Sequence, residues 1–77
     1  MFRVGDKVIR KTTEELDALG LCGSHRSTIQ RGVVTDVTRN SMWIKITEDT
    51  GGQLEVGYAY HGLKRYWKRE GLRYENR

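Results

Sequence analysis

A small, mostly-β domain of five strands with one short helix is what this sequence predicts, and three observations carry that expectation. Apolar residues alternate with polar ones, most cleanly in Met42-Trp43-Ile44-Lys45-Ile46-Thr47, the period of a half-buried strand. Runs rich in β-branched residues, such as Gly32-Val33-Val34-Thr35-Asp36-Val37, are bounded by turn-forming residues. The chain has nine glycines and no proline, so its turns are built on Gly, Asn, Asp and Ser.

Each element follows from its residues. Phe2, Val4 and Val8 take the spacing of one face of an opening strand, with a kink at Gly5-Asp6. Thr12 and Glu15 have the spacing of a capping box, and Glu14, Glu15 and Asp17 suit the positive end of a helix. Leu16 and Leu19 fall on one face, and Gly20 or Gly23 can end the helix in a left-handed conformation. The expectation is a helix of two to three turns set in a long loop over about residues 12–30. A strand follows over 32–37, then a tight turn at Asn40-Ser41. In the next strand Met42, Ile44 and Ile46 face the core and Trp43 lies on the outer face or at a rim. Glu48-Asp49-Thr50-Gly51-Gly52 reads as a hairpin turn. Residues 53–58 read as a strand with Leu54 and Val56 inward, residues 59–62 as a single tight turn, and residues 63–69 as a last short strand. Residues 1–70 form one domain and 71–77 a basic tail.

Length and composition bound the class. Seventy-seven residues make one domain near the lower limit of independent folding, with a stability of roughly 0.05–0.15 kcal/mol per residue. Hydrophobic residues are 36% and charged residues 31%, polar for a folded domain, but the apolar positions are patterned and argue against disorder. Cys22 is the only cysteine, which excludes an internal disulfide and suggests a reducing compartment. Met1-Phe2-Arg3-Val4-Gly5-Asp6 has no apolar core of a signal peptide, and no apolar run reaches membrane-spanning length. A cytoplasmic location is expected, the host cytoplasm if the protein is phage-encoded.

The charge is unevenly placed. Residues 1–60 hold eight basic and eight acidic side chains. Residues 61–77 hold Lys64, Arg65, Lys68, Arg69, Arg73 and Arg77 against Glu70 and Glu75, so the net +4 sits in this last segment, beside Tyr66, Trp67 and Tyr74.

Val4-Gly5-Asp6-Lys7-Val8, then Gly32-Val33-Val34-Thr35-Asp36-Val37, then Ile44-Lys45-Ile46 leading to Asp49-Thr50-Gly51-Gly52, then Leu63 after a one-turn element, resemble an SH3-like small barrel of the Tudor and KOW kind. The resemblance covers residues 2–67 and implies that the first Gly-Asp turns the chain into the barrel and that the Gly-x-Val-x-x-Val strand carries a bulge. It constrains architecture more than activity. The loop from Thr12 to Arg31 departs from it by being long and partly helical. Trp43, Tyr58 and Tyr60 could wall an aromatic cage for methylated side chains, against the commoner role of core and rim packing. The aromatic run and acidic loops of a polyproline groove are not seen.

Candidate chemistry is sparse. Cys22, His25 and His61 are metal-ligand types, but a structural zinc site needs about four ligands, and the bland reading is a thiol and two ordinary histidines. Cys22 as a nucleophile would need a base and an orienting group, which nothing in the spacing supplies. Gly51-Gly52 lacks the lysine and helix start of a phosphate loop. The expectation is a non-enzymatic module with no cofactor, no metal, no catalytic residue, no small-molecule substrate and no membrane partner.

The basic segment is the main candidate. His61, Lys64, Arg65, Lys68, Arg69 and Arg73 surround Tyr66 and Trp67; the Lys and Arg side chains can neutralise phosphates, and Tyr66 and Trp67, with Trp43, can stack on bases. Arg39 joins this set, and Arg3, Lys7, Arg10, Arg26 and Arg31 are further cations that could contribute. The bland reading is a solvated face that keeps the protein soluble. The functional reading is contact with nucleic acid, DNA or RNA. The alternative is a regulator or inhibitor docking on an acidic protein surface, since Trp, Tyr and Arg also anchor protein interfaces. In size and style, such a stand-alone domain resembles phage-encoded accessory proteins that act on a host nucleic-acid-handling protein.

Overall fold

Strand alternation divides the side chains into an inner and an outer set, and the inner set builds the core. In the computed structural model, which describes residues 1–21 and 29–70, β1 spans Lys7–Arg10, α1 Thr13–Ala18, β2 Gln30–Val37, β3 Ser41–Asp49, β4 Ala59–Leu63 and β5 Trp67–Arg69. A single 3-10 turn, Lys64–Tyr66, joins β4 to β5. The five strands form one antiparallel sheet in the order β4-β3-β2-β1-β5. Val8, Val34, Met42, Ile44, Ile46 and Trp67 form the buried cluster, with Phe2, Val37, Leu54, Tyr60 and Tyr66 packed around it. Burying each large aliphatic or aromatic side chain contributes about 1.5–3 kcal/mol before entropy is counted. Met42, Ile44 and Ile46 face inward and Trp43 outward, as the alternation requires.

The buried cluster draws on β1, β2, β3 and β5, with Tyr60 of β4 packed against it, so the one sheet must bend. The register of β2 against β3 shifts between Arg31 and Gly32 and again between Val34 and Asp36; such bulges bend and twist a strand. At Gly32 the two strands approach so closely that a Cβ would lie 2.3 Å from Ile44 Cγ2 and 2.6 Å from the Lys45 carbonyl oxygen. The bend brings the two outer strands toward each other, but β4 and β5 do not pair and the sheet is not closed. Side chains fill the gap instead. Tyr60 packs at a tilt on Trp67, ring centroids 5.9 Å apart. A Cβ on Gly62 would sit 2.8 Å from Trp67 Nε1 and 2.8 Å from Tyr60 Cε2.

The capping box forms: Thr12 Oγ1 accepts the Glu15 N–H (3.1 Å) and Glu15 Oε1 accepts the Thr12 N–H (2.8 Å). Gly20, at φ +76°, turns the chain away. The helix has six residues, less than the two to three turns expected. Leu16 is buried but Leu19, already the C-cap, is exposed. Gly23 lies outside the described residues.

Four strand expectations are corrected. Val4 is exposed, because the chain turns at Val4-Gly5, with Gly5 at φ +95°, before β1 begins at Lys7. Residues 53–58 are a loop: Val56 is exposed, and only Leu54 reaches the core. The Asp49 carboxylate gathers this segment by accepting the N–H groups of Gly51 and Leu54, both at 2.9 Å, and Gln30 Nε2 at 3.1 Å. Gly57, at φ +95°, completes the turn into β4. Residues 59–62, expected as a turn, lie in β4, where Gly62 is the place Trp67 packs and not a bend. The last strand is shorter than expected because the 3-10 turn occupies Lys64–Tyr66. The tail at 71–77 lies outside the described residues. No helix among the described residues is long and apolar enough to cross a membrane.

Candidate functional site

The β3–β4 register places three pairs on the outer face: Ser41 opposite Leu63, Trp43 opposite His61 and Lys45 opposite Ala59. Cross-strand neighbours on one face are close enough to interact, and Trp43 and His61 do. Their rings stack with centroids 4.6 Å apart and an interplanar angle of 16°. His61 Nε2 lies 2.7 Å from Ser41 Oγ, which lies 2.6 Å from Thr38 Oγ1, so the stack is tied to the β2–β3 turn. Trp43 is still 39% exposed.

The same turn holds the cations. The Lys64 backbone N–H donates to the Asn40 carbonyl (3.0 Å) and Lys64 Nζ to the Arg39 carbonyl (3.1 Å). The 3-10 turn, with Lys64 and Arg65, is thereby fastened to the turn carrying Arg39. Arg39 and Arg65 are exposed, and neither they nor Lys64 has an acidic partner among the described residues. Residues 37–47 and 56–69 contain no Asp or Glu. Asp36 stands opposite Trp43 on β2, and its Oδ1 accepts the Val37 N–H at 2.9 Å.

The other predicted site residues are placed differently. Trp67 is 2% exposed and belongs to the core, which corrects its assignment to a binding surface. Tyr66 packs against the core beneath the Arg10 guanidinium, 5.5 Å from the ring centroid. Lys68 Nζ pairs with Glu15 Oε2 at 2.6 Å. Arg69 Nε lies 3.2 Å from Asp6 Oδ2, and its guanidinium also donates to the Met1 carbonyl. Arg31, a further candidate cation, bridges Glu48 and Glu70. Arg73, Cys22, His25 and Arg26 lie outside the described residues.

These pairings set the local ionisation. Lys68, then the Thr12 N–H, hold the Glu15 carboxyl below its ordinary value against some desolvation. Burial alone would raise Asp49; hydrogen bonds from Gln30 and from the backbone of Leu54, Gly51 and Gly52 outweigh it and bring the carboxyl below its ordinary value. Glu48, then Glu70, push the Arg31 guanidinium further up.

His61, which the sequence groups with the basic segment, joins the face through β4. Its register opposite Trp43 does not follow from a tight turn over residues 59–62. The Ser41–His61 contact brings a hydroxyl to an imidazole, but the ring is stacked on Trp43 and no carboxylate orients it among the described residues, so the pair lacks the third member that activates a nucleophile. No group of three potential metal ligands occurs among the described residues. The open hollow lined by residues 53–58 involves neither Trp43 nor His61. What the outer face offers is a ring stack next to turns that carry three cations without acidic partners among the described residues. No protein-family model matches the chain, and neither the curated proteins nor the solved structures include a significant match to it.

Proposed function

We propose that the chain is a non-enzymatic nucleic-acid-binding module whose contact surface is the outer face of β3 and β4 together with the 3-10 turn. The observation that carries this reading is the gathering of Arg39, Lys64 and Arg65 beside the exposed Trp43–His61 stack. Cations without acidic partners attract phosphate regardless of sequence, and exposed rings beside them suit bases. The same proposal places the domain among SH3-like small barrels. The strand order β4-β3-β2-β1-β5, the bulged second strand and the one-turn 3-10 element that returns β5 to β1 support that assignment.

Fluorescence anisotropy with a labelled mixed-sequence oligonucleotide tests the function. Affinity should fall steeply with salt, with a slope of about −0.7 per phosphate neutralised for a single strand. Absence of binding at low salt overturns the reading. The competing reading, a regulator docking on an acidic surface of a host nucleic-acid-handling protein, draws on the exposed Leu63, opposite Ser41 on the same face. It predicts a protein complex that survives nuclease treatment.

A further inference from the structure

The Trp43–His61 pair carries more than a general attraction for phosphate. Stacked rings on a sheet surface are usually satisfied by one another or by neighbours, yet Trp43 keeps 39% of its surface in water while its only ring partner among the described residues is His61. His61 is itself exposed and anchored by Ser41. The pair is therefore a fixed two-ring stack standing at the surface, next to the turn that holds Arg39 and Lys64.

We infer that this stack is a platform for unpaired bases and that the ligand is single-stranded nucleic acid rather than duplex. A base can extend a ring stack only when its own face is free. In a duplex those faces are occupied by neighbouring base pairs, and only groove edges and phosphates are presented. The cations at the β2–β3 turn and the 3-10 turn track the backbone while Trp43 takes the base. Asp36, opposite Trp43, is the acid that opposes an approaching phosphate here.

The inference rests on the nucleic-acid reading above, and the experiment separates the two. Binding of a 12-nucleotide single strand and of the same sequence as a duplex is measured at equal low salt, by anisotropy and by tryptophan emission. The chain has only two tryptophans, and Trp67 is shielded in the core, so quenching reports on Trp43. The single strand should bind at least about tenfold tighter than the duplex, and quench. Trp43→Leu should remove the quenching and weaken single-strand binding by about tenfold, the loss expected for one stacked base, with little effect on duplex binding. Trp43→Phe, which keeps a ring, should retain most of the affinity, and His61→Ala should weaken it in the same direction. Because Trp43 faces outward, the thermal midpoints of these variants should stay near that of the parent. Equal affinity for both forms with no effect of Trp43→Leu overturns the stacking inference and leaves phosphate-driven binding standing. No binding of either form overturns both.

Discussion

Two Lys-Arg pairs lie four residues apart in the basic segment, and the fold treats them differently. Lys64-Arg65 sits in the 3-10 turn, has no acidic partner among the described residues and is fastened to the turn carrying Arg39. Lys68-Arg69 sits in β5 and is held by Glu15 and Asp6. Their compositions are identical. What separates them is the acid that the topology brings opposite: β5 pairs with β1, which carries the Asp6 turn and leads into α1, whereas the 3-10 turn meets a turn with no acid. A cluster of like charges in a sequence is therefore not one surface. One of these pairs is tied to acids beside the last strand, and the other has no acidic partner among the described residues.

Trp67, between the two pairs, offers the largest perturbation of that division. Trp67→Ala should lower unfolding free energy by about 3–5 kcal/mol, as for other large core truncations, enough to unfold much of a domain this small. Denaturant titration checks it. Gly62→Val should cost less, about 1–3 kcal/mol, because the added atoms collide with packed indole and phenol rings. An unchanged midpoint in Gly62→Val would contradict the packing of β4 on Trp67.

The capping box should give a smaller change that also touches the paired half. Thr12→Ala removes the acceptor for the Glu15 N–H and should destabilise by about 1 kcal/mol, read by the same titration.

Acid should act on the paired half through Glu15 and, separately, on the loop that Asp49 gathers. The folded-state values of Glu15 and Asp49 are depressed, so their contribution is fully present above their ordinary values of 4.5 and 3.8 and is lost as pH falls below those through the folded-state values. Stability measured from pH 6 downward should fall in that window. Lys68→Ala should shrink the part due to Glu15, since Lys68 is the main cause of its shift.

The inner face of β3 was legible because three aliphatic side chains at alternate positions leave one choice of core. The capping box was legible because both of its partners lie within four residues. The β4 strand was not, since a glycine that admits a neighbouring ring looks the same in sequence as one that turns the chain. The loop at 53–58 was missed because its organiser, Asp49, works through backbone N–H groups that any sequence would supply. Of the candidate site, the structure places Arg39, Trp43, Lys64 and Arg65 on β3, the turn before it and the 3-10 turn. Lys68 and Arg69 were grouped with them because their acids lie 53 and 63 positions earlier in the chain (68 − 15 and 69 − 6). Trp67 was grouped with them because the 3-10 turn resets the alternation that would have shown it facing inward.

The most direct test compares two double charge reversals in the same binding and stability assays. Arg39→Glu with Arg65→Glu should weaken binding of a single-stranded oligonucleotide at least about tenfold, while stability stays within about 0.5 kcal/mol, as for other surface substitutions. Lys68→Glu with Arg69→Glu should do the opposite, lowering stability by about 1 kcal/mol through lost ion pairs and changing affinity by less than about threefold. Equal losses of affinity in both variants would contradict the division of the basic segment into a structural half and a binding half.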